Sequence, residues 1–139
     1  MRLSTQLNFG GNCAEALRYY EQNLNGRVLA MMRQSEAPGQ TSRAEDGADP
    51  VLHARMMIGQ TMLIANDVPP NVFQSMRSVY LYLAVDSVDE AERVYGLLAR
   101  GGEIYMPLQE TFFASRFSQF RDRFGTSWTL IHEPPMSQE

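Results

Sequence analysis

His53 is the first candidate for chemistry, because an imidazole near neutral pH can act as general base, general acid or hydrogen-bond donor. The chain has one other histidine, His132. Arg55 follows two residues after His53, and Arg116 comes later. Each guanidinium can hold a carboxylate or phosphate through two parallel hydrogen bonds. A base accompanied by an oxyanion-stabilising arginine is what a lyase or isomerase needs. The competing reading of His53 is a structural histidine bonded to backbone, and His132 reads as structural or solvated near the chain end. His53, His132 and Glu133 could together supply two imidazoles and a carboxylate to a metal. However, His132 and Glu133 are adjacent in a strand pattern and should face opposite ways. The single cysteine, Cys13, falls in the first turn of a helix pattern, where a thiolate can be stabilised. It has no acid–base partner in view and reads as a small packing residue.

Composition narrows the chemistry further. All twelve basic residues among the 139 are arginine, so Schiff-base catalysis, a Walker lysine and a Ser–Lys pair are excluded. One cysteine allows no intrachain disulfide and fits a reducing compartment. Sixteen acidic against twelve basic residues give a formal charge of −4 at pH 7, with no basic stripe for nucleic acid. The longest clean apolar run, Val79 to Val85, falls far short of the roughly 20 residues that a membrane helix requires. The opening Met-Arg-Leu-Ser-Thr-Gln lacks a signal-peptide core. A single cytoplasmic domain spanning 1–139 is expected, with no membrane or nucleic-acid partner.

The elements that position these residues come as a weak repeat. Asn12, Glu15, Ala16, Arg18, Tyr20 and Gly26 are echoed about 75 residues later by Ser87, Glu90, Ala91, Arg93, Tyr95 and Gly101. Asn12/Glu15 and Ser87/Glu90 both have the spacing of a capping box, and each helix ends near a glycine. Apolar residues Cys13, Ala16, Leu17, Tyr20 and Leu24 recur at helical spacing, as do Val88, Ala91, Val94, Tyr95 and Leu98. Strand patterns cover 3–9, 27–34, 51–58 and 61–66 in the first half, and 79–85, 103–106, 113–121 and 127–133 in the second. Gly59-Gln60 and Asp122 to Gly125 read as tight turns. Each half is therefore βαβββ, the modules covering about 1–67 and 77–133. Residues 35–50 read as a long mobile loop, 68–76 as the linker and 134–139 as a frayed tail.

Alternation sorts the faces of the strands. Leu7 and Phe9 look like core, which leaves Gln6 and Asn8 opposite. Val79, Leu81, Leu83 and Val85 should pack under the second helix, with Tyr80 and Tyr82 pointing away. Trp128, Leu130 and His132 share one face, and Thr129, Ile131 and Glu133 the other. These non-core faces are partly polar and rich in tyrosine, which suits a concave ligand site. Tyr80 and Tyr82 could equally cover sheet surface or a dimer interface.

Several segments carry a family resemblance. Leu-Asn-Phe-Gly-Gly-Asn-Cys-Ala-Glu-Ala-Leu-Arg-Tyr-Tyr (7–20) is similar to the opening of PhnB-like proteins. Pro-Val-Leu-His-Ala-Arg (50–55), Leu-Ile-Ala-Asn-Asp (63–67), Met-Pro-Leu-Gln-Glu-Thr-Phe (106–112) and the run 116–130 resemble later family segments in order. The resemblance implies the vicinal oxygen chelate superfamily, with glyoxalase I, ring-cleaving dioxygenases and the fosfomycin and bleomycin resistance proteins. It further implies an α+β fold, two βαβββ modules forming an open, cleft-containing mixed sheet, and a homodimer. Some members are described as 3-demethylubiquinone methyltransferases. No S-adenosylmethionine glycine loop is visible here, nor room for a Rossmann domain, so that activity is not expected.

The superfamily's metalloenzymes place His or Glu on the first and last strands of each module. Those positions carry over to the region of Ser4 to Gln6, near Leu63, Tyr80 and Thr129, none of them His, Asp or Glu. No metal and no cofactor is therefore expected. The leading expectation is a metal-free domain binding an aromatic or amphipathic small molecule among Tyr80, Tyr82, Phe113 and Trp128. Gln6, Asn8, Arg55, Arg116 and Thr129 complete the candidate ligand-binding set. The runner-up is a lyase or isomerase with His53 as base, or a metalloenzyme with atypical ligands. A structural or regulatory dimer with a vestigial site is the third reading.

Overall fold

The computed structural model describes residues 1–39 and 47–134. The chain divides into two compact units, 1–74 and 75–139. The first runs β1 (Thr5–Phe9), α1 (Cys13–Asn23), β2 (Gly26–Arg33), a 3₁₀ turn (Gln34–Glu36), β3 (Val51–Ile58) and β4 (Thr61–Asp67). The second runs β5 (Leu81–Ala84), α2 (Val88–Leu98), β6 (Glu103–Gln109), β7 (Arg116–Arg121) and β8 (Ser127–His132). The α+β class and the two βαβββ units are as expected. The strands make two separate four-stranded sheets, ordered β1-β4-β3-β2 and β5-β8-β7-β6. In each, the first and last strands pair in parallel and the remaining pairs are antiparallel.

Each helix covers one face of its sheet. Cys13, Ala16, Leu17 and Tyr20 of α1 are buried, as are Leu7, Phe9, Ala54, Met56, Leu63 and Ala65 on the strands. In the second unit Ala91, Val94 and Leu98 of α2 are buried with Phe120, Trp128 and Leu130, and Tyr95 meets Phe120 edge-on at 5.9 Å. Full burial of each large apolar side chain contributes about 1.5–3 kcal/mol.

The helix starts are less alike than the repeat suggests. Ser87 accepts a hydrogen bond from the Glu90 amide at 3.0 Å and caps α2 as expected. Asn12 makes no cap bond; Asp67, at the end of β4, takes that role by accepting from Gly11 N and Cys13 N at 2.9 and 3.0 Å. At the other end of α1 the left-handed residue is Asn25 (φ 54°), not Gly26. Gly26 is crowded for a different reason: a Cβ there would lie 3.1 Å from Glu21 Cα and 3.2 Å from Tyr20 O, backbone atoms of α1.

Several strand limits also shift. Val79 lies outside β5 and is 66% exposed instead of packed under α2, because Ser78 turns left-handed (φ 71°) and pairing with β8 begins only at Leu81. Phe113 lies outside β7, since the Thr111 amide bonds Ala114 O in a turn. β6 continues to Gln109 through register shifts on both sides of Met106. Strand β8, flanked by β5 and β7, is buried from Ser127 to Ile131.

The connections are tied down where described. Ser35 N and Oγ both donate to Asp49 at 2.9 and 2.7 Å, and Arg33 Nη1 to Asp49 O at 3.1 Å, so the described ends of segment 35–50 are fixed. Residues 40–46 of that expected loop, and 135–139 of the expected tail, lie outside the described residues. In segment 68–76, Phe73 packs on Gly10 in the first unit. Met76 O accepts from Ser127 Oγ at 2.8 Å in the second. Among the described residues no helix is long and apolar enough to cross a membrane.

Candidate functional site

The face of each sheet opposite its helix carries most of the expected site residues. In the first unit, register places Gln6 beside Ile64, Asn8 beside Asn66, Arg55 beside Ile64 and Ala30, and His53 beside Met32. Gln6, Asn8, His53 and Arg55 therefore share one exposed face. The Gln6 amide nitrogen donates to Asn66 Oδ1 at 2.7 Å and to Asn8 Oδ1 at 3.4 Å, which fixes a small amide array. His53 and Arg55 have no hydrogen-bond or ion-pair partner among the described residues. An imidazole without a carboxylate or carbonyl to orient it lacks the support a general base usually has.

In the second unit the corresponding face carries Tyr82, Thr129, Gln119, Phe117 and Ile131. Tyr82 is 61% exposed, yet its hydroxyl is fixed, donating to Glu133 Oε1 at 2.9 Å. That bond to a carboxylate, with slight burial and the negative charge behind it, raises the phenol's pKa, so the ring stays neutral and a donor. Thr129, 6% exposed, accepts from Gln119 Nε2 at 3.2 Å. Phe113 meets Phe117 edge-on at 5.0 Å, which puts an aromatic wall beside this face. Glu133 thus lies on the Tyr82 side while His132 pairs with Arg116 on the other, as alternation predicts.

Three expected positions fall elsewhere. Arg116 lies on the helix side of its sheet, bonding Ser115 O at 2.7 Å and reaching Glu92 of α2 at 3.5 Å. It therefore does not share the open face. Trp128 is 2% exposed and its indole N–H donates to Asp122 Oδ2 at 2.9 Å, so it belongs to the core and does not line a ligand surface. Tyr80, just before β5, accepts a hydrogen bond from Arg77 Nη1 and lies 6.0 Å from the Tyr105 ring. Arg77 and Tyr105 were not expected from sequence. The available signal was Pro107, because a proline inside a strand marks an edge or bulge where side chains are redirected. The Cys13 thiol is buried and free, its pKa pushed up to about 12 by burial and then by Asp67, so it is no nucleophile.

The donor set does not fit a divalent metal. Gln6, Thr129 and Tyr80 offer neutral amide and hydroxyl oxygens in place of imidazole or carboxylate, and Thr129 and Tyr80 already accept from Gln119 and Arg77. Leu63 is 3% exposed under α1, and its strand neighbours Met62 and Ile64 offer no oxygen or nitrogen donor. Among the described residues no three His, Cys, Asp or Glu side chains cluster. Hard divalent ions need such donors.

Comparison with known proteins fits this geometry. A family model described as 3-demethylubiquinone-9 3-methyltransferase matches residues 1–131. Protein YjdN of Escherichia coli (strain K12) is 31% identical over 94% of this chain and 94% of its own. Protein PA1353 from Pseudomonas aeruginosa is 37% identical with a TM-score of 0.83, covering 96% of this chain and 98% of that one. The PhnB protein from Bacillus cereus is 25% identical with a TM-score of 0.81, over 95% and 99%. At the level of fold alone, a glyoxylase/bleomycin resistance protein/dioxygenase domain from Frankia sp. has a TM-score of 0.63 at 16% identity, over 96% and 98%.

Among the described residues, the methyl donor that the family description implies does not fit the strand–glycine–helix turn that resembles a cofactor cradle. At that turn, between β1 and α1, the amides of Gly11 and Cys13 are already bound to Asp67, and a Cβ on Gly10 would lie 2.9 Å from the Phe73 ring. The family match over 1–131 and the shared βαβββ units are independent of that activity. The chain belongs to the family described as 3-demethylubiquinone-9 3-methyltransferase, as a PhnB-like member with the glyoxalase/bleomycin resistance fold.

Proposed function

We propose that this protein binds a small aromatic or amphipathic molecule without a metal at the superfamily's usual positions. Tyr82 carries this reading. It is a largely exposed ring, immobilised by Glu133, above a buried sheet floor at Thr129 and Ile131. A rigid amphipathic ring loses little conformational freedom on binding, and apolar walls with a few fixed polar groups are typical of ligand sites. Phe113 and Phe117 supply the wall, Thr129 and Gln119 the polar points. The first unit's face, with Gln6, Asn8, His53 and Arg55, is the second surface for a ligand. Sequestration or presentation of the ligand is the mode of action we favour. A homodimer in the cytoplasm completes the reading; exposed Leu29 and Met32 on edge strand β2, and Val79, favour self-association. Light scattering should give twice the chain mass.

A thermal-shift screen of small aromatic compounds on chelator-treated protein tests this function. Hits should raise the melting temperature of the wild type, and Tyr82→Ala should abolish the shift. If every hit keeps its shift in both Tyr82→Ala and Thr129→Ala, the second unit's face is not the binding surface.

A further inference from the structure

One cationic group in the second unit is held in an unusual way. Arg77 Cζ lies 3.9 Å from the centre of the Tyr105 ring and 5.8 Å from that of Tyr80, and Nη1 donates to the Tyr80 hydroxyl. Arg93, Arg116 and Arg121 each pair with a carboxylate, on Glu90, Glu92 and Glu103. Arg77 has no carboxylate partner among the described residues and is exposed. Its flat guanidinium is therefore oriented by aromatic rings while most of its five N–H donors stay available. Two backbone features build this arrangement. Ser78, the next residue, has the left-handed φ of 71°, uncommon for a non-glycine residue and a kind of strain found at ligand sites. Tyr105 sits where the β6–β7 register slips between Ile104 and Met106, as in bulges that redirect a side chain. The Tyr105 hydroxyl is buried and has no hydrogen-bond partner among the described residues. Tyr80, which accepts from Arg77, keeps its own proton to donate.

The geometry points to an oxyanion subsite: Arg77 receives a carboxylate or phosphoryl group of the ligand through its free N–H donors, Tyr80 donates a further bond, and Tyr105 positions the guanidinium. This inference rests on the second unit presenting a ligand surface, and it names the ligand class as an aromatic or amphipathic anion.

Calorimetric titration of the full chain with benzoate, phenyl phosphate and neutral benzamide is the test, and circular dichroism checks that each variant folds. The wild type should prefer one or both anions over benzamide by about tenfold or more, as a charge-assisted pair implies. Added salt should weaken anion binding and leave benzamide unchanged. Arg77→Gln should erase the preference while keeping the benzamide affinity, and Tyr105→Phe, which retains the ring, should preserve it. Whichever anion binds tighter identifies carboxylate or phosphoryl as the natural group. Equal wild-type affinity for anions and benzamide overturns the subsite, as does a preference that survives Arg77→Gln. If Tyr82→Ala leaves all three affinities unchanged while Arg77→Gln removes the preference, the subsite stands and the Tyr82 face falls. If Tyr82→Ala weakens all three and Arg77→Gln changes nothing, the face stands and the subsite falls.

Discussion

Asp67 and Asp122 each satisfy three N–H donors with one carboxylate. Asp67 binds Gly11 N, Cys13 N and Val51 N; Asp122 binds Phe124 N, Thr126 N and the Trp128 indole. Removing a carboxylate that serves buried donors leaves each donor unsatisfied. Asp122→Ala is expected to cost about 3 kcal/mol or more in urea unfolding. Cys13 gives a pH-dependent prediction. Its folded pKa lies near 12 against an ordinary 9.0, so the folded state holds the thiol proton where the unfolded state has lost it. The stabilising contribution is complete below pH 9.0 and is lost as pH rises from there towards 12. Thiol-reactive dye at neutral pH should label only unfolded chains; rapid labelling of the native protein would show that Cys13 is not buried. These roles were hidden in the sequence because the partners of Asp67 lie 54 and 56 residues away at the α1 start. His53 and Arg55 were named from residue type, and only the register of β3 with β2 and β4 puts them on one face.

The two helix starts look alike in sequence, and the prediction is that they respond differently to the same change. Ser87→Ala removes a real cap and should cost about 1 kcal/mol. Asn12→Ala should stay within about 0.5 kcal/mol of the wild type, because Asn12 makes no cap bond and its Oδ1 is buried without a partner among the described residues. Denaturant midpoints of the two variants check this. Helices α1 and α2 were readable because local apolar periodicity defines them. Strand β3 was readable at both ends, but β5 and β7 came out shorter. A strand persists only where its partner offers hydrogen bonds, and β8 engages β5 from Leu81 and β7 from Arg116. The same dependence on partners hid Arg77 and Tyr105, which meet only after the β6 register slips.

At the scale of the molecule, the repeat foretold two βαβββ units, and their open faces carry most of the expected ligand residues. The proposed independence from metal rests on the distribution of donors over those faces. Gln6, Tyr80 and Thr129 bond other side chains, Leu63 is core, and no three strong metal ligands cluster among the described residues. Binding should therefore be independent of metal. The most direct measurement is calorimetric titration of a thermal-shift hit into chelator-dialysed protein, repeated after adding equimolar zinc, nickel or iron. The affinity should be the same in all four titrations, and abolished by Tyr82→Ala in each. Binding that appears only after a metal is restored would contradict the account.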